Sequence, residues 1–327
     1  STMRYAYVKL TLFFFLGCTP LFSNAAADCS IPGGGALASG DAHSCTVDPL
    51  GPVSCWGRDL FGESTNANML RADRNPSEVV GVACGAAHTC LLLATGSVEC
   101  YGYNGGNETD VPAGQPFARI TAGTRHNCAL TTGTGEVVCW GLDADFRLDS
   151  PPGSFTAVES GSGHNCAIQS NGSAVCWGFN NNGQADSYDK PAYAPSSVAF
   201  LQVSCGMAHS CGVLDDGSGS GQGSAVCWGD NSHGQTSVPT NAEPMTMVSA
   251  GSTNSCGVRA SDGAAICWGG NTDGESTPPA GETWQYLSCG DRFCCGVKKK
   301  GSIQCWGLEA HVRVAGQPAL VVCAAVF

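Results

Sequence analysis

The stretch Ser160-Gly161-Ser162-Gly163-His164-Asn165-Cys166-Ala167-Ile168, followed by Ser170-Asn171-Gly172-Ser173, Ala174-Val175-Cys176-Trp177-Gly178 and Asn180-Asn181-Asn182-Gly183-Gln184, decides the fold. It reads as two short apolar strands flanking a glycine turn, closed by a Trp-Gly pair and an Asn/Gly-rich loop. Aligning the chain on that pair gives Trp56, Tyr101, Trp140, Trp177, Trp228, Trp268 and Trp306, spaced by 45, 39, 37, 51, 40 and 38 residues. Seven copies at this period predict a seven-bladed β-propeller of four-stranded blades, an all-β fold. The final stretch Gly316 to Val322 resembles Gly114 to Ile120, which opens a repeat. The C-terminal strand is therefore expected to close the ring beside residues near Leu37 to His43, removing an open sheet edge.

Cysteine spacing agrees with the turn chemistry. Four pairs are ten residues apart: Cys45 and Cys55, Cys90 and Cys100, Cys166 and Cys176, Cys295 and Cys305. A three-residue hairpin loop sets the members of such a pair opposite each other. Its last residue must enter the left-handed region, and Gly51, Gly96, Gly172 and Gly301 occupy that place. One cross-strand disulfide per blade follows. Cys128 with Cys139 and Cys256 with Cys267 fit a loop one residue longer, and Cys211 with Cys227 spans the insertion Asp215 to Gly223. Cys29, Cys84, Cys205, Cys289, Cys294 and Cys323 are left over. A Cys29–Cys323 bond would tie the termini, and the others are not paired by spacing alone.

Twenty-one cysteines point to an oxidising compartment. Met3, Arg4 and Lys9 precede the apolar run Leu10 to Gly17, and Ala25-Ala26-Ala27 stands before Asp28. Residues 1–27 read as a signal peptide cleaved after Ala27, with Ser1 and Thr2 as leftover residues ahead of the first methionine, and residues 28–327 as a single propeller domain. A rival reading places a lipid on Cys18 within Leu16-Gly17-Cys18. No later segment has the apolar length of a membrane span. The net charge of −12 argues against nucleic acid as a partner. Lys298-Lys299-Lys300 falls at an expected hairpin tip.

Glycine, two variable residues, histidine, an apolar strand, a glycine turn and Trp-Gly-x-Asn-x-x-Gly-Gln resemble the regulator-of-chromosome-condensation repeat across residues 35–327. The resemblance implies the propeller but leaves the activity open, because that scaffold carries unrelated functions. Nuclear members are guanine nucleotide exchange factors; export, cysteine density and acidity argue against that role here. The same superfamily includes a propeller-type β-lactamase inhibitor. The cysteine-paired pattern is similar to the ectodomains of crinkly-type plant receptor kinases and to exported bacterial repeat proteins.

The recurrent residues read as scaffold. His43, His88, His126, His164 and His209 share one position, filled by Asn254 and Phe293 in the last two blades, and are expected to hydrogen-bond within their blades. A metal is not expected, since a sevenfold ring does not converge four ligands. The Trp series suits packing between blades better than a sugar platform. No nucleophile–base pair, convergent carboxylate pair or phosphate loop stands out, so neither an enzyme nor a cofactor is expected. Irregular segments are the expected recognition elements: Ala185 to Phe200, Asp215 to Gly223 and Asn66 to Glu78. Tyr188, Tyr193 and Phe200 are the aromatic candidates for partner binding. Asn107-Glu108-Thr109 and Asn171-Gly172-Ser173 are glycosylation sequons. The expectation is a secreted, monomeric, non-enzymatic module engaging an extracellular protein; a multivalent carbohydrate-binding propeller is the first alternative and an enzyme inhibitor the second.

Overall fold

The computed structural model describes residues 37–47, 53–65, 79–186 and 199–308. They form seven antiparallel sheets spanning 37–57, 79–102, 117–141, 155–178, 200–229, 245–269 and 284–307. Each sheet has three strands in sequential order, not the four expected. In the first six blades the described segment after the Trp-Gly or Tyr-Gly pair, where a fourth strand would lie, is a loop folded on its own side chains. In blade four, Asn180 accepts the Ala185 N–H and Gln184 accepts the Asn182 N–H.

The first strands of neighbouring blades pack on each other, and the seventh sheet packs on the first. The repeat glycine at the end of each first strand permits this approach. A Cβ on Gly40, Gly85, Gly123, Gly161, Gly206, Gly251 or Gly290 would collide with the carbonyl oxygen of the same glycine in the next blade. The loosest of the seven, Gly251 against Gly290, would leave only 2.9 Å. These contacts run round all seven blades and return from Gly290 to Gly40. Ser39 N–H also donates to Ser288 Oγ at 2.9 Å across the same seam. The first blade takes all three strands from residues 37–57; the C-terminal segment expected to close the ring lies outside the described residues, as do Cys29 and Cys323.

Hairpin geometry places the cysteines. In blade two, Leu93 N–H donates to Ser97 O and Gly96 N–H to Leu93 O, a three-residue loop with Gly96 at φ 84°. Counting back from that bonded pair by the two-residue alternation of an antiparallel ladder puts Cys90 and Cys100 in a non-hydrogen-bonded pair, where side chains lie closest. Their Cα atoms are 4.0 Å apart and the sulfurs are bonded. All seven expected disulfides are present. An eighth joins Cys289 to Cys294. It forms because these residues face each other between the first and middle strands of blade seven. Cys84 and Cys205 occupy the same position as Cys289, but Thr89 and Ser210 stand opposite them, so both remain thiols. Burial pushes the Cys84 thiol up to about 12.

The histidines correct the sequence reading, because they bond between blades. Nε2 of His43 lies 2.7 Å from Thr89 Oγ1, His88 pairs with Asn127, His126 with Asn165, His164 with Ser210 and His209 with Ser255. Where asparagine is the partner, its amide nitrogen already donates to a loop carbonyl of the preceding blade, Glu108 O or Arg147 O. The asparagine oxygen must then accept, so the imidazole is the neutral Nε2–H tautomer. Burial drives the charged form out: His43 and His164 are lowered to about 3, and His126 and His209 to about 4.

The tryptophans pack between blades, as their uniform placement suggested. Trp56, Trp140, Trp268 and Trp306 are buried. Trp177, Trp228, Trp268 and Trp306 each donate Nε1–H to a carbonyl of the preceding blade's loop.

Non-reduced peptide mapping should recover all eight disulfides and find buried Cys84 alkylated only after unfolding. Alkylation of Cys84 in the native protein contradicts the blade packing. The histidines set a pH dependence. Their folded values lie below the unfolded 6.5, so the unfolded chain binds more protons as pH falls beneath about 6.5. Stability is full above that pH and declines towards pH 4, each imidazole contributing up to about 1.4 kcal/mol per pH unit. Glu159, raised by burial to about 7, works in the opposite direction as a single group. Denaturant titrations at pH 7 and 5 should show the loss, and His126→Asn, which copies blade six, should lessen it.

Candidate functional site

Strand direction assigns every loop to one of two faces. First and last strands run the same way, so the Gly-x-x-His turns and the loops after Trp-Gly share one face and the glycine hairpins form the other. Backbone bonds tie the two loop types together, Tyr103 N–H to Ala87 O and Leu142 N–H to Arg125 O among them.

Four large apolar residues are exposed among the described residues: Leu60 at 73%, Phe61 at 49%, Phe146 at 76% and Met207 at 56%. All four lie on the loop face. Leu60 and Phe61 follow the first blade's last strand, Phe146 the third's, and Met207 is in the Gly-x-x-His turn of the fifth. The Phe61 and Tyr103 rings meet edge to face at 5.0 Å, and the Arg125 guanidinium sits 5.1 Å from the Tyr103 centroid. Phe61 and Tyr103 thereby form one aromatic surface across blades one and two, capped by the Arg125 guanidinium of the third.

Phe146 occupies a position that strains its backbone. Corresponding loop positions hold Gly62, Gly183, Gly234 and Gly274, with φ between 79° and 87°. The third blade has Phe146 there at φ 60°, preceded by a second left-handed residue, Asp145 at φ 56°, and the second blade has Asn107 at φ 66°. A side chain in this region costs about 1 to 2 kcal/mol, and its neighbours must hold it there. Arg147 does so: it donates to Ala144 O at 2.7 Å and to Asp145 at 3.1 Å. The Phe146 ring thus stands in solvent on a backbone conformation that costs stability.

Charges on this face are unevenly satisfied. Arg58 pairs with Glu63 at 3.2 Å and Arg125 with Glu108 at 2.9 Å, and both glutamates are buried. Each glutamate also accepts N–H groups of its own loop, from Phe61 and from Gly106. Asp59, Asp110, Asp143, Asp145 and Asp149 are exposed around the apolar residues.

Three side-chain groups among the described residues resemble metal sites without offering enough ligands. His43, Cys45 and Cys84 converge, as do His164, Cys166 and Cys205, and Cys256, Cys289 and Cys294, the last three all disulfide-bonded. Cys45 and Cys166 are committed to disulfides, and each imidazole Nε2 to a hydroxyl. Burial keeps the remaining thiols protonated. Zinc takes three or four protein ligands, and these groups do not supply that many free ones.

The family model described as the regulator of chromosome condensation (RCC1) repeat matches residues 117–146, 155–184 and 200–235, which are blades three, four and five with the loops that follow them. Among solved structures, the receptor kinase CR4 ectodomain of Physcomitrella patens is 27% identical, over 83% of this chain and 72% of that one, with a TM-score of 0.68. The CRINKLY ectodomain of Arabidopsis thaliana ACR4 is 24% identical over 87% and 98%, with a TM-score of 0.67. Prp20p of Saccharomyces cerevisiae is 20% identical over 80% and 82%, with a TM-score of 0.62. Similarity to the last two speaks for the fold alone. No curated protein sequence matches the chain.

Against this RCC1 frame the expected site residues separate. Tyr188 and Tyr193 lie outside the described residues. Phe200 is not a recognition residue: it starts the first strand of blade five, is buried and packs against Trp228 at 6.2 Å. Phe117, Phe155, Met245 and Trp284 fill the same place in their blades. Asn171 is exposed at a hairpin tip, and Asn107 is exposed on the loop face at φ 66°. Phe146 went unnoticed, although its signal was present as a phenylalanine where the repeat calls for glycine.

Phe146→Gly should raise stability by about 1 kcal/mol in denaturant unfolding, by relieving the left-handed strain. A neutral or destabilising result would mean that the ring is held by packing.

Proposed function

We propose that this protein is a non-enzymatic extracellular module that binds another protein through the loop face of its first three blades. The observation carrying the reading is that three of the four exposed large apolar side chains among the described residues, Leu60, Phe61 and Phe146, lie there, one of them at a backbone cost, while Met207 stands on the same face at blade five. Aromatic anchors set in a rigid scaffold lose little entropy on binding. Eight disulfides and the likeness to a receptor ectodomain point to the outside of the cell. Among the described residues no helix is long and apolar enough to cross a membrane.

A repeated sugar platform finds less support, because Trp56, Trp140, Trp268 and Trp306 are buried between blades and their rings are not available for stacking. Enzyme inhibition stays within the proposal as one form of protein binding. Asn171 and Asn107 are proposed glycan acceptors in a eukaryotic secretory pathway. A glycan on Asn171 would leave the loop face clear.

Cross-linking mass spectrometry of the secreted propeller in its native extracellular fluid tests the reading. Cross-links to a protein should concentrate on residues 58–65 and 142–149 and disappear with Phe61→Ala/Phe146→Gly. Cross-links confined to the hairpin face would refute it, and binding at several equivalent positions on a glycan array would favour the sugar reading.

A further inference from the structure

The loop face also carries chemistry that specifies its partner. We propose that it receives a cationic segment with a large apolar side chain, the apolar group resting on Phe146 and the Phe61–Tyr103 pair and the positive charges on the surrounding aspartates. The assignment rests on the docking-face reading above.

Cations and anions are unequally available there. Arg58 and Arg125 are each spent on a buried glutamate whose oxygens are further engaged by backbone N–H groups. Arg147 is buried, and it is held by Asp145 and the Ala144 carbonyl. These three guanidinium groups stabilise the loops, so they are poorly placed to meet an acidic ligand. The exposed carboxylates are arranged differently. Asp59 and Asp110 accept bonds from neutral groups of their own loops and keep their charge unneutralised. Asp143 and Asp149 form no ion pair among the described residues. They flank Phe146 in sequence, within one loop of the third blade.

Phosphate-bearing, nucleic-acid and acidic peptide ligands would meet repulsion from this rim, reinforced by a net charge of −12. A purely apolar ligand would leave the aspartates unused. Lysine or arginine beside leucine or phenylalanine satisfies both features. The loops of blades four and six do not share this combination: their corresponding residues are Asn180, Asn181 and Asn182, and Asn271, Thr272 and Asp273.

Selecting a displayed random-peptide library on the intact secreted propeller tests the assignment. Enriched sequences should combine Lys or Arg with Leu, Phe or Trp. The synthesised winners should lose about tenfold or more in affinity for Phe146→Gly, a variant that keeps the turn. They should weaken several-fold for Asp143→Asn/Asp149→Asn and with added salt. Acidic or uncharged winners, or winners indifferent to Phe146→Gly, overturn the assignment. If native cross-links still fall on residues 58–65 and 142–149, the docking face survives and only its partner chemistry is wrong. Cross-links elsewhere would remove both.

Discussion

The buried imidazole that reaches from one blade to the next is the constraint on which the rest of this structure depends. Each of the five histidines sits beneath a glycine that lets neighbouring backbones approach, and each engages a side chain of the following blade. That side chain, when it is Asn127, Asn165, Ser210 or Ser255, donates in turn to a loop carbonyl of the histidine's own blade. Strand, turn and loop are thus joined across every such seam by buried polar groups. A hydrogen bond of this kind adds only about 1 kcal/mol net, but losing one partner leaves a desolvated group behind. Adjacent blades are consequently held in one arrangement.

The seams are not all alike. Between blades six and seven, Asn254 faces Cys294, whose sulfur is bonded to Cys289. Between seven and one, Phe293 replaces the imidazole and packs with Leu37 and Trp56. Apolar burial and an added disulfide therefore take over where the polar link is missing. The disulfides elsewhere staple each blade internally, so covalent and polar constraints divide the work: sulfur fixes strands within blades, and imidazole, indole and glycine fix blades against one another.

A rigid ring allows its loops to carry residues that would be unfavourable elsewhere. Phe146 in a glycine's conformation is sustained because Arg147 anchors the loop, and Trp177 and Asn165 of the next blade grip the Arg147 carbonyl. Strain on the face and order in the seams are thus linked through one residue. The same loop places aspartates around the ring, which gives the face a chemical character that the regular blades lack.

Seven aligned Trp/Tyr-Gly positions were enough to count the blades. The agreement between cysteine spacing and hairpin glycines was enough to pair fourteen cysteines, because both follow from local strand geometry. Four matters needed the tertiary structure. The histidines were expected to bond inside their blades, since nothing local shows that the residue after each histidine meets the imidazole of the preceding blade. Cys289 and Cys294 could be paired only once the register of the first and middle strands was known; that same register leaves Cys84 and Cys205 opposite hydroxyls. Phe200 looked like part of an irregular insertion, yet it fills a buried strand start. Exposure at Phe146 depends on the packing of whole loops against the next blade. The chain's local pattern thus determined the scaffold, while neighbouring blades decided which side chains reach solvent, because burial is set by residues distant in sequence.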